Sequence, residues 1–148
     1  MPNWCNNQFT IQHEDPEQIK KVKKAMEEGN LFNTFVPEPE LEGNAWFTWR
    51  VNNWGTKWEV SDYFGIAETP NSISAGFDSA WAPPTPIYDA MVAEGFEVQA
   101  YYYEPGMSFG GIYNDGVDDY IEPIVPGNIP KELDEMFNIS GWLEEAEA

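Results

Sequence analysis

Asn3–Gly29, NWCNNQFTIQHEDPEQIKKVKKAMEEG, passes from one hydrophobic period to another, and that change decides the fold class. Cys5, Phe9 and Ile11 alternate with polar residues and are interrupted on their own side only by Asn7. This is the period of a strand, with Trp4 facing the other way. From Asp15 the period becomes helical. Asp15 is placed as N-cap, Pro16 at the first helical position and Gln18 as the partner in a capping box. Ile19, Val22, Ala25 and Met26 share one face, and Gly29 terminates the helix. Lys20, Lys21, Lys23 and Lys24 form a basic patch that Glu14, Glu17, Glu27 and Glu28 complement, the pattern of a solvated helix face.

The same succession returns further along. Glu59–Glu68 reads as a second strand and Ile73–Ala80 as a third, joined at Pro70, Asn71 and Ser72. Ile73, Ala75 and Phe77 point inward and Asp78 outward. Ala82–Pro86 breaks the sheet, and Thr85 with Pro86 caps a helix through Ile87, Ala90 and Met91 that Gly95 ends. Phe96, Val98, Ala100 and Tyr102 alternate with Glu97, Gln99, Tyr101 and Tyr103 as a fourth strand, and Pro105 with Gly106 turns it into a fifth, Ser108–Asn114. Near the end, Pro130 starts a helix with Leu133, Met136 and Phe137 as its docking face. Trp142 and Leu143 are the last anchors, and residues 144–148 are expected to fray.

This order predicts an α+β protein: a ferredoxin-like split β-α-β antiparallel sheet with an extra strand, in one domain spanning 1–148. Right-handed crossovers put both main helices on one face. The opposite face is left for an aromatic insertion (31–58) or a C-terminal helical extension (128–148) to cover.

The insertion carries WFTWRVNNWGTKW at Trp46–Trp58, with four of the chain's seven tryptophans. Asn44 is placed as N-cap of a helix from Ala45 to about Asn53, with Trp46, Trp49, Arg50 and Asn53 along one face and Gly55 ending it. Leu31–Ala45 shows no regular period, and Pro37 and Pro39 give it an extended path. Lys57, between Trp54 and Trp58, has two readings: a stacked or ion-paired structural cation, or part of a ligand site that also uses Trp81. In the first, Asp78 and Glu104 are the expected carboxylate partners, because a lysine flanked by indoles loses water.

Charge is the extreme property. The 148 residues carry a formal −19; residues 1–58 hold eight acids against six bases, whereas 59–148 hold eighteen acids against one base, Lys131. Such a field repels nucleic acid and anionic membrane and draws in a basic partner. Asp115, Asp118, Asp119 and Glu122 are densest, but NDGVDDYIE lacks the ligand spacing of a calcium loop and reads as a solvated turn. No metal site or cofactor is expected. Cys5 and His13, the only cysteine and histidine, lie eight residues apart on one strand, roughly 26 Å if extended, which removes a nucleophile and base pair and a zinc site. No phosphate-binding glycine pattern is present, so no catalytic residues are assigned. With no basic leader and no long apolar run, a cytoplasmic protein is expected.

WCNN near the start, the Trp46–Trp58 run, AWAPP at Ala80–Pro84 and YYEPG with Phe109 and Gly111 together resemble the YubB-like family of phage and plasmid proteins. Ala82 departs from that pattern, which has a serine there. The resemblance implies a ferredoxin-like C-terminal part, origin on a mobile element and action in a bacterial cell; it carries no established activity. The expected function is an acidic protein that binds and inhibits or redirects a host protein with a basic surface, a counter-defence factor acting by nucleic-acid mimicry in one version. The alternative is a ferredoxin-like module that binds a small ligand or single-stranded nucleic acid, with Tyr101 and Tyr103 as stacking platforms. Candidate binding residues are Trp54, Lys57, Trp58, Asp78, Trp81, Glu104 and the four acids of the 115–122 run.

Overall fold

Strand β1 (Trp4–Gln12) lies third in a six-stranded sheet, hydrogen-bonded to β3 (Ser72–Ala80) on one side and β4 (Glu97–Glu104) on the other. In this computed structural model, which describes residues 3–147 and side-chain burial as far as Glu144, the strand order is β2-β3-β1-β4-β5-β6. β2 is Phe64–Thr69, β5 Phe109–Asn114 and β6 Val117–Ile121, and every neighbouring pair is antiparallel. The protein is α+β. Six helices accompany the sheet among the described residues: α1 (Pro16–Glu27), α2 (Leu31–Phe35), α3 (Ala45–Trp54), α4 (Thr85–Ala93), α5 (Lys131–Phe137) and α6 (Ile139–Glu147).

Register follows from alternation. Phe9 stands opposite Ala75 on β3 and Ala100 on β4, and Ile11 opposite Ile73 and Val98, so one face of three adjacent strands is continuously apolar. α1, α2 and α4 press Ile19, Val22, Met26, Phe32, Phe35, Ile87 and Met91 onto that face. Asn7 interrupts it without leaving an orphan: its Nδ2 donates to the Cys5 carbonyl and the Ser79 hydroxyl, each at 2.9 Å.

Several local expectations change. The capping box at α1 does not close: Asp15 accepts from Glu17 N as a cap should, but its own N–H goes to His13 Nδ1 rather than to Gln18. Leu31–Phe35 is a short helix with Leu31, Phe32 and Phe35 buried, not an irregular path. Its first N–H groups are satisfied from a distance by Glu59, whose carboxylate accepts from Phe32 N at 3.0 Å and Asn33 N at 2.9 Å. That task holds Glu59 out of the sheet, and β2 begins only at Phe64. Thr85 is the first residue of α4, and its N-cap is Pro84.

Asp115-Gly116, both at positive φ, makes a tight hairpin into β6, a strand the reading of 115–122 as a turn had missed. The tail forms two helices broken at left-handed Asn138, with Leu133 and Ile139 buried and Met136 exposed. α6 stays helical to Glu147, past the onset of the expected fraying; side chains beyond Glu144 and all of Ala148 lie outside the described residues.

α5 and α6 cover the second face of the sheet over β4–β6, where Leu133, Phe137 and Ile139 meet Tyr103, Ile112 and Ile124. The insertion does not help there. It packs with α1 and α4 on the first face, through Trp54. Among the described residues, therefore, no helix lies over the second face of β1 and β3.

Candidate functional site

β2 stops pairing with β3 at Phe64, opposite Gly76, and the preceding chain from Trp58 to Tyr63 diverges from the end of β3. The divergence opens a cleft of about 340 Å³ lined by Trp4, residues 58–62, Phe64 and residues 78–80. Trp4, Asp78 and Phe64 all rise from the helix-free face. Trp4 is paired with Ala80 across β1 and β3, Asp78 sits two residues back, and the Phe64 ring lies over Gly76, where a Cβ would collide with it. Trp58 completes the wall at a ring distance of 6.0 Å from Trp4.

Beside the cleft, Lys57 Nζ lies 4.4 Å from the Trp58 ring centre and 4.1 Å from that of Trp81. The expected carboxylate partner is absent: neither Asp78 nor Glu104 forms an ion pair with Lys57, and two indole faces hold the cation instead. Glu104 is fully buried and accepts from Gly106 N at 2.6 Å and Met107 N at 2.7 Å, closing the turn between β4 and β5. That corrects its place among the binding candidates.

Trp81 sits at φ +70°, a left-handed conformation that costs a bulky residue on the order of 1 kcal/mol or more. Three bonds impose it: Trp81 N to Asn3 O, Thr56 Oγ1 to Ala80 O and Ser79 Oγ to Ala82 O. The turn holds the Trp81 ring outward, with Phe47 of α3 edge-on at 6.3 Å. Trp4, Trp58 and Trp81 remain 43%, 38% and 44% exposed.

Trp54 does not belong to this group. It is 1% exposed, donates its indole N–H to Val36 O at 2.8 Å and packs against Phe32. It is core.

Of the three acids that line the cleft, Glu59 is bonded to the N–H groups of Phe32 and Asn33, which leaves Asp62 and Asp78. Partial burial, and then the charge of Asp62, push the Asp78 carboxyl above its ordinary range. Among the described residues no lysine or arginine lies within ion-pair distance of either.

The four acids of the 115–122 run do not converge. Asp115 Oδ1 accepts from Val98 N at 2.6 Å, Asp118 accepts from the Tyr102 hydroxyl at 2.6 Å, and Glu122 accepts from Tyr120. Asp118 and Asp119 are consecutive on β6 and so point to opposite faces. The reading of the run as one solvated turn is thus replaced by a hairpin strand in which two acids are bonded to the sheet. Among the described residues no three His, Cys, Asp or Glu side chains are grouped to hold a metal ion. Tyr103, expected as a stacking platform, is buried under α5, and Tyr101 packs beside it.

Sequence reasoning missed Trp4, Asp62, Phe64 and Phe47. Alternation already set Trp4 and Asp78 on the outer face, but only the β1–β3 register puts them side by side.

No family model matches the chain, and no curated protein does. Among solved structures it is similar to the crystal structure of a protein api92 from Yersinia pseudotuberculosis, of the family called DUF1281. The identity is 11%, the likeness covers 88% of this chain and 100% of that one, and the TM-score is 0.50. At that identity the likeness concerns the fold alone.

Proposed function

We propose that this is a binding protein whose tryptophan-rich end docks on a basic surface of a host protein and inhibits or redirects it, as a counter-defence factor of a mobile element would. The observation that carries the reading is the exposure of Trp4, Trp58 and Trp81 at the same end as Asp62 and Asp78, two carboxylates that no lysine or arginine among the described residues pairs with. Large aromatic rings at a rim of unpaired charge are the side chains that dominate protein interfaces. The net −19 adds long-range attraction for a basic partner and accelerates encounter. The strained backbone at Trp81 fits the same account, since the protein tolerates a cost to keep that ring outside.

Single-stranded nucleic acid is the weaker reading, because Tyr103 is covered and the chain carries 26 acids against 7 lysines and arginines. Mimicry of a duplex draws little support from β6, whose adjacent acids face opposite ways. The test is capture from bacterial host lysate at low and high salt. A basic protein retained at low salt and released at high salt is expected; retention of none, or retention indifferent to salt, contradicts the reading.

A further inference from the structure

We propose that the cleft between Trp58 and Asp78 is the receptor for an arginine side chain of the partner protein, its guanidinium lying against the indoles of Trp4 and Trp58 and forking onto Asp62 and Asp78. This rests on the basic-partner reading and specifies which group of that partner is bound.

The occupant follows from the walls. At about 340 Å³ the cleft is at the small end of ligand sites, suited to one side chain rather than a cofactor. Its apolar surface is mainly aromatic, from Trp4, Trp58 and Phe64 with Val60 and Ala80, and its acids are Asp62, Asp78 and Glu59, of which Glu59 is already bonded to Phe32 N and Asn33 N, so the complementary group is flat, cationic and rich in donors. Guanidinium combines these properties: it stacks on a ring face, donates in a fixed fork to carboxylates and is less strongly hydrated than an ammonium ion. The chain itself illustrates the affinity of this end for cations, since Lys57 already lies over Trp58 and Trp81. Asp62 and Asp78 repel one another across the cleft wall, and a shared cation relieves that repulsion.

The probe is a capped glycine-arginine-glycine peptide, followed by NMR through the indole N–H signals of the full chain. Saturable shifts at Trp4 and Trp58 are expected, with the lysine peptide at least several-fold weaker and the glutamate peptide inert. The Asp62→Asn/Asp78→Asn double variant, folded by its thermal melt, should bind the arginine peptide at least tenfold more weakly. Unmoved indoles, equal response to the glutamate peptide, tighter binding of spermidine than of the arginine peptide, or full affinity in the double variant would each overturn the subsite, whether or not a basic protein is captured from lysate. Saturable arginine binding without any basic partner in lysate would leave the subsite standing and overturn only the partner reading.

Discussion

Arg50 forks onto Glu38, with Nε 2.6 Å from Oε2 and Nη2 2.9 Å from Oε1, while its guanidinium lies 4.7 Å from the Trp54 ring centre. This pair joins α3 to the extended stretch after α2, and Arg50 Nη1 reaches on to the Lys57 carbonyl at 3.3 Å. One side chain thus ties the insertion together at the base of the exposed tryptophans. The two side chains are only 24% and 20% exposed, so the geometry is worth more than that of an ordinary surface ion pair.

Arg50→Ala should therefore cost about 1.5 to 3 kcal/mol in denaturant unfolding, and Arg50→Lys should recover little of it. The hydrogen bond from Arg50 holds the Glu38 carboxyl below its ordinary range. A carboxyl lowered in the folded state contributes stability above its unfolded pKa and loses it as pH falls through the folded value. Melting curves across the acid range should show Glu38→Gln flattening that loss. A Glu38→Gln curve parallel to wild type would argue against it.

The two tryptophans flanking Lys57 in sequence should part company. Trp54→Ala opens a cavity in the core and should cost about 3 to 5 kcal/mol. Trp58→Ala removes a residue that is 38% exposed, with its contacts to Lys57 and Trp4, and should cost about 1 to 2 kcal/mol while weakening partner binding. Urea unfolding of both variants separates the roles, and equal losses would place Trp58 in the core as well.

Lys57→Met should leave the fold intact at a cost of about 1 to 2 kcal/mol for its two ring contacts, each worth roughly 0.5 to 1. No buried ion pair is broken. A loss near 4 kcal/mol would mean an unpaired buried carboxylate had been left behind.

Asp78→Asn should stabilise the protein at neutral pH. A carboxyl raised in the folded state contributes stability only below its unfolded pKa and loses it as pH rises through the folded value, so the charged form is the unfavourable one. The gain is small for a surface site, about 0.5 kcal/mol or roughly 1 to 2 °C, and should vanish in acid. A lower melting temperature for the asparagine variant at neutral pH would contradict the crowding of Asp62 and Asp78.

The sheet and its two main helices were legible in the sequence because alternation in 4–12, 72–80 and 97–104 and the helical faces of 16–27 and 85–93 are local signals. β6 was within reach: Asp115-Gly116 is a hairpin turn signal, hidden because the acids after it were weighed as charge rather than as a strand. The site was less legible. Whether Trp54 or Trp58 is core depends on which side of Gly55 the chain turns, and Trp4 meets Asp78 only through the register of β1 on β3, some seventy residues apart in sequence, with Phe64 added by the β2–β3 pairing. Glu59 is expected to open a strand and Glu104 to face Lys57, yet both carboxylates satisfy backbone N–H groups. No periodicity announces that role.

On the reading proposed above, the cleft end rather than the acidic sheet edge at β6 recognises a basic partner. The most direct test is the dissociation rate of the captured host protein from wild type, Asp62→Asn/Asp78→Asn and Asp119→Lys/Glu122→Lys, measured over a range of salt. Asp119 and Glu122 are chosen because Asp115 and Asp118 bond to the sheet, so their reversal would disturb the fold, contrary to what their sequence suggests. At least tenfold faster dissociation is expected for the cleft variant, and slower association with little change in dissociation for the edge variant. Unchanged dissociation in the cleft variant, with fast release in the edge variant, would contradict that reading.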